Sequence, residues 1–384
     1  MTLPRRPLLA LVGVLAPGAA AAWDCPAGTT PDGAAWPQGT AVRCLDDRGR
    51  AQGPSADYAA DGTVLAEGSW EDGEKTGRWR TFFPNGAPES DGTYVDDKRH
   101  GDWTWWHDNG QKWFVGTYVV ARSEGQWTYW HPNGKLESQG EFINGVKYGP
   151  WKVWHDNGAL AAEGRYVAGV RDGPWVLYRP DGSKERTGRY RSGREEGVWQ
   201  TFRPNGALER EATYVDGQLD GLERTFDEAG GPASEIEWAA GDKDGLERVF
   251  WPNGQVHTED TWVAGRREGE ARQYTEAGQL VVVEHWKGGV KHGAFQGFYP
   301  SGARMFEGRM AFGAETGLWT RWHENGQVLS EGRYAEGKPD GLWSAYWPNG
   351  TVRTSGQYRK GEKVGKWEIR SEDGGTVQYE DKGP

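Results

Sequence analysis

The chain has 384 residues, with 59 Gly and 23 Trp but only 2 Cys and 3 Met, and a formal net charge of −11. A hydrophobic fraction of 36% is poor for a compact domain of this length, while 13% aromatic residues argue against disorder. The acidic balance disfavours a nucleic-acid partner, which needs a basic patch, and attraction to anionic lipid.

Residues 1–22 read as a secretory signal peptide: Arg5 and Arg6 form the basic region, Leu8 to Ala16 the apolar stretch, and Ala19 to Ala22 the small-residue cleavage site. The apolar run is short for a membrane span, and no later stretch approaches the ~20 apolar residues a span requires. The chain is therefore expected to be exported, to the periplasm, cell surface or extracellular space, with no transmembrane segment once the signal is removed. Residues 23–52 are rich in Gly, Pro, Ala and Asp. They hold the two cysteines, Cys25 and Cys44. Export makes a disulfide between them plausible, and the segment reads as an N-terminal cap over an otherwise open sheet edge.

From residue 53 to about 380 the sequence keeps a strict period. Glycines recur every 24 residues from Gly62 to Gly374 and again from Gly53 to Gly365. Looser columns start at Gly68, with nine glycines, and at Gly73, with eleven. A fixed period of this size signals a repeat array, here of about 13 units. Trp follows the same ruler: Trp79, Trp103, Trp127, Trp151, Trp175, Trp199, Trp319, Trp343 and Trp367 each stand two residues after a second-column glycine.

Within the unit Gly149 to Asp172, Asn157-Gly158 separates two aromatic-rich runs. Asn-Gly in that setting predicts a hairpin with a type I′ turn, joining a strand Trp151–His155 to a strand Ala159–Val167. The stretch Gly169 to Gly173 reads as a second, polar turn into the next unit. Gly164 shares a face with Leu160 and Tyr166 and leaves room there for a neighbouring Trp. No useful 3.6-residue periodicity appears, so helix is expected to be scarce. The fold class is all-β: an elongated, single-layer antiparallel sheet of tandem 24-residue hairpins, each burying its rings against its neighbours.

The unit Gly-x-Tyr/Phe-x-x-Gly-x-x-x-Gly-x-Trp-x-x-Trp-x-x-Asn-Gly resembles the MORN-repeat variant, and Gly92 to Gly101 is close to that family's turn signature. Bacterial proteins with this variant are often labelled antitoxin-like, so the resemblance also implies an antitoxin or immunity-like role. Between about Gly217 and Gly302 the pattern departs: Glu223, Glu247, Ala271 and Phe295 replace the column Trp, and acidic residues and Val281-Val282-Val283 enter.

No constellation for catalysis emerges. His107, His131, His155 and His323 form a column, but members two strands apart are separated by ~9.6 Å. That spacing cannot bring nitrogens to ~2.0–2.1 Å from one zinc ion, so a packing ladder is the expectation and no metal or cofactor is assigned. Gly332 to Lys338 mimics a P-loop, yet Pro339 follows and no helix would supply amides. The expected function is non-enzymatic, a scaffold for protein–protein interaction in the cell envelope. Alternatives are carbohydrate or cell-wall binding through exposed aromatics and the immunity-like role. Trp105, Trp113, Trp251 and Trp347 lie outside the shared Trp columns and are the candidate surface-binding residues.

Overall fold

The computed structural model describes residues 24–383; the expected signal segment lies outside them. The described residues contain 32 β-strands and no helix, as the period predicts. They form two units, one ending at Gly158 and the other beginning at Ala159. Within each, strands follow one another in antiparallel register as a single-layer sheet of tandem hairpins. In the first unit the cap residues join this order directly. Thr30–Ala34 pairs with Ala41–Leu45, which pairs with Ala51–Tyr58. Cys25 and Cys44 are disulfide-bonded, and Cys44 is fully buried.

The hairpin ends exchange the expected turn types. At Asn157-Gly158, as at Asn109-Gly110, only the glycine has positive φ. The Gly110 amide donates to the His107 carbonyl at 2.9 Å, and the His107 amide to the Gln111 carbonyl at 2.8 Å. That is a three-residue loop, a type I turn closed by a left-handed glycine; a type I′ turn there is corrected. The reason lies in the closing pair, which brackets three residues and so leaves Asn109 in the ordinary helical well. The type I′ pattern appears at the opposite end, where both central residues have positive φ, as at Ala168 (φ 49°) and Gly169 (φ 84°). The strand resumes at once with Val170–Arg171 and Gly173–Tyr178, so the expected long polar turn over 169–173 is only two residues. Gly173 (φ 80°) instead lies in a bulge, the device that lets one strand carry extra residues against its partner. The same bulge sets Asp91 and Thr93 against Thr104 and His100 on the strand Lys98–Trp106.

The core is a row running across each sheet, in which an indole alternates with a glycine. A Cβ placed on Gly164 would lie 2.2 Å from the Trp175 ring, and one on Gly92 would lie 2.0 Å from the Trp103 ring. The ring therefore rests directly on the neighbouring backbone, where only hydrogen fits. Its N–H donates to the carbonyl one residue past that glycine, Trp175 to Arg165 at 3.1 Å and Trp103 to Thr93 at 3.1 Å. Each such ring buries about 150–250 Å², about 4–6 kcal/mol of gross hydrophobic gain at ~25 cal/mol per Å², an upper bound against a compact unfolded chain. Edge contacts from the Tyr/Phe column, such as Tyr94 on Trp103 at 5.0 Å, complete the row.

Candidate functional site

The Trp and Gly columns vary together. All nine Trp of the row have a Gly eleven residues earlier, and the four repeats lacking the Trp also lack the Gly. Those four are consecutive and lie in the second unit. Across them the row reads Trp199, Ala212, Glu223, Ile236, Glu247, Asp260, Ala271, Glu284, Phe295, Gly308. Four carboxylates thus occupy the line that elsewhere is indole and hydrogen. Glu247 and Asp260 are direct cross-strand partners, an arrangement that costs energy unless neutralised.

Neutralisation comes from cations already present in the repeat. Four residues before the row Trp, five of the nine flanking repeats carry a Lys or Arg that lies over the ring, as Lys75 does over Trp79 at 4.3 Å and Arg171 over Trp175 at 4.7 Å. In the central repeats the same column holds Lys243, Arg267 and Lys291. Lys243 pairs with Glu247 at 2.6 Å, Arg267 with Asp260 at 3.4 Å, and Lys291 with Glu284 at 2.8 Å. Arg210 pairs with Glu223. Glu223 and Asp260 are buried, at 8% and 7% exposure. Burial pushes the Asp260 carboxyl above its ordinary range; Arg267 opposes the shift, and the charges of Glu247 and Glu284 add to it. Beside Asp260, where Ala271 replaces a ring, a cleft of about 110 Å³ opens, lined by Thr258, Arg267, Gln273, Val282 and Glu284.

The alternate residues of these strands carry a second charged line. Glu211, Arg224, Glu235, Arg248, Glu259, Arg272 and Glu270 alternate in sign, with successive contacts between 2.5 and 4.0 Å, and Glu270 also meets the His285 imidazole at 3.5 Å. These pairs are part-exposed, so each contributes little alone.

The residues nominated from sequence are dispersed. Trp105 is half-buried, stacked on Trp103 at 4.7 Å and on Phe114 at 4.6 Å. Trp113 is 44% exposed, with its ring 5.9 Å from His107 and 4.9 Å from Phe114. Trp251 and Trp347 belong to the histidine column. Trp251 donates to the Tyr274 carbonyl at 3.2 Å and Trp347 to the Arg370 carbonyl at 3.1 Å. His107, His131 and His323 do the same to Trp130, Trp154 and Tyr346 at 2.9, 3.0 and 3.2 Å. At these five positions the column is a latch at the three-residue loops, each ring satisfying a carbonyl 23 residues on. The adjacent Asn column repeats the device, as in Asn109 to Pro132 at 2.7 Å. No group of three metal-ligating side chains occurs among the described residues.

The model of the MORN repeat variant matches residues 75–96, 99–119, 123–144, 147–168, 195–216, 243–264, 315–336 and 339–360. Three of the four central repeats fall outside these matches. No curated protein matches the sequence. Among solved structures, the Photorhabdus luminescens Tc holotoxin pore is 12% identical over 90% of this chain and 25% of its own, with a TM-score of 0.16. The TcdB2–TccC3 structure is 12% identical over 89% of this chain and 25% of its own, with a TM-score of 0.16. The chain spans about a quarter of each of these structures, and superpositions this weak carry no argument about shape or role. The eight matched repeats, set on the observed hairpins, identify the chain as a MORN-variant repeat protein.

Proposed function

We propose that the chain is an exported, non-enzymatic scaffold that binds a protein partner in the cell envelope through the central repeats of its second unit. The observation that carries this reading is the replacement of four consecutive Trp–Gly locks by pairs that each hold one carboxylate, of which Glu223 and Asp260 are buried and Glu247 and Glu284 half-buried. Burying charge is costly, and the flanking repeats demonstrate that the same backbone accepts an indole at that line. A segment that gives up packing for charge while keeping its backbone register is suited to recognition, since charge placement fixes partner choice and orientation. Export is supported by the composition of residues 1–22 and by the Cys25–Cys44 bridge, which fits an oxidising compartment.

The test is site-specific photo-crosslinking in the producing cell, with the probe at Arg248 or Arg272 in the central line and, as reference, at Arg78 in a flanking repeat. A single protein adduct, formed from the central positions and found in the envelope fraction, is the expected result. Adducts formed equally from Arg78, or a cytoplasmic product retaining residues 1–22, would contradict the proposal.

A further inference from the structure

The row indoles differ in one respect: what lies on their outer face. Eight of the nine are buried, at 1–5% exposure, and Trp343 is the exception. Each of the eight is covered by a cation or a ring that comes from one of three places. Four residues before the Trp stand Lys75, Arg99, Lys147, Arg171 and Lys363, at 4.1–5.4 Å from their rings. Thirteen residues before it stand Arg186 over Trp199 at 4.6 Å, Phe114 on Trp127 at 5.6 Å and Phe306 on Trp319 at 6.1 Å. Two residues after it stand Trp105 on Trp103 at 4.7 Å and Tyr129 on Trp127 at 6.0 Å.

For Trp343 these three places hold Pro339, Ser330 and Ala345. None covers the ring. Its aromatic neighbours, Tyr334 at 5.1 Å and Tyr358 at 5.8 Å, meet it edge-on, as the same column does throughout the array. Its N–H is already spent on the Arg333 carbonyl at 3.0 Å. What opens over the ring is a cleft of about 130 Å³, with Ser330, Ser344, Thr354, Tyr358, Lys363 and Trp367 around it. Ala345 and Thr354 are cross-strand partners there, and their equivalents at Trp103 are the cross-strand partners Trp105 and Phe114. The chain thus displays, at Trp103, a flat ring filling the volume left open at Trp343.

We propose that this cleft is a saccharide-binding subsite, which takes one neutral pyranose ring with its C–H face on the Trp343 indole. The lining selects that chemistry. Ser330, Thr354 and Tyr358 offer hydroxyls that both donate and accept, matching the hydroxyl rim of a sugar, while the Ser344 hydroxyl is engaged by Ser355. A purely aromatic ligand would leave them without partners, which costs affinity. A cationic ligand would meet no carboxylate in the lining and would face the Lys363 ammonium, already 4.3 Å over Trp367. Small concave sites with an apolar floor and a few polar groups are the ordinary form of ligand pockets. The subsite is independent of the central charged row and of the scaffold role.

The test is calorimetric titration of the full mature chain with β-1,4-linked glucose trisaccharide, β-1,4-linked N-acetylglucosamine trisaccharide and α-1,4-linked glucose trisaccharide, alongside tetramethylammonium. Three variants restore a cover in the three ways the chain itself uses: Ala345→Trp, Ser330→Phe and Pro339→Lys. At least one trisaccharide is expected to bind at millimolar concentration or tighter. Each folded variant is expected to weaken it by about tenfold or more, a loss of about 1.4 kcal/mol, with thermal stability unchanged or raised. Three routes guard against one variant failing to fold. Absence of binding by all three saccharides, binding that survives in the covered variants, or tighter binding of tetramethylammonium would each overturn the assignment.

Discussion

The flanking repeats and the central repeats solve the same packing problem with opposite chemistry. In the flanks a one-layer sheet is held by an indole laid on a glycine, with a cation or ring outside it everywhere but at Trp343. In the centre the indole and the glycine are both gone, and the cation that would cover the ring turns to a carboxylate instead. Lys75 over Trp79 and Lys243 against Glu247 are the same position of the repeat in two roles. The comparison teaches that Trp and Gly are a single device. Neither is useful alone, because a ring needs a hydrogen-only backbone beneath it and a bare glycine in a strand weakens the sheet.

The largest effect expected from this account is at a lock. Gly164→Ala places a methyl 2.2 Å from the Trp175 ring, so the ring must leave its site. The loss should approach that of removing a buried indole, about 3–5 kcal/mol, measured by urea denaturation. An Ala is already native at position 212, where the partner is Glu223 and no ring is displaced. A loss below about 1 kcal/mol for Gly164→Ala would mean that the two regions do not differ as described.

The turn latch is expected to be common to both regions. His131→Ala in a flank and Trp251→Phe in the centre each remove one hydrogen bond to a carbonyl. Each should cost about 0.5–1.5 kcal/mol, and zinc should add no stability to the parent chain, since the Nε2 of His107, His131 and His323 already donates to a carbonyl. A clear difference between the two costs would show that the turn edge, too, is specialised.

The smallest effect concerns Asp260, and its sign is diagnostic. Burial raises its carboxyl above the ordinary range, so between the unfolded value and the raised folded value the folded state holds more protons. Stability from this group is therefore greatest when it is protonated, and it falls as pH rises through that window. The turn residues Asp61 and Asp181 behave oppositely, because hydrogen bonds from Thr63 and Ser183 lower their carboxyls. Asp260→Asn removes the buried charge, so its stability relative to the parent should be more favourable at neutral pH than near pH 4, by less than about 1 kcal/mol. Denaturation at the two pH values checks this. The reverse order would show that Arg267 contributes more than burial takes away.

Much of this was legible from residues alone. The 24-residue ruler dictated hairpins, and Gly164 could be read as clearance because it shares a face with Tyr166. The turn types were not legible. Asn-Gly carries a strong type I′ signal, but the loop type depends on which backbone pair closes it, and at Asn109 that pair is His107 with Gln111. The latch hid Trp251 and Trp347 among surface candidates, because their acceptors lie 23 residues away. The uncovered face of Trp343 needs three positions, 13 and four residues before it and two after, to be read as neighbours, and only the strand register makes them so. One signal was available: aligning the repeats on themselves exposes the joint loss of Trp and Gly.

The central claim, that Trp and Gly form one device and that the central repeats have exchanged it for charge, is tested most directly by a double-mutant cycle at Asp260 and Ala271. Ala271→Trp alone should destabilise, because the incoming ring meets the Asp260 side chain. Asp260→Gly alone should also destabilise, by emptying the site. Together they rebuild the lock, and the pair should be more stable than the sum of the singles by about 1–3 kcal/mol. Additive losses within about 0.5 kcal/mol would contradict it.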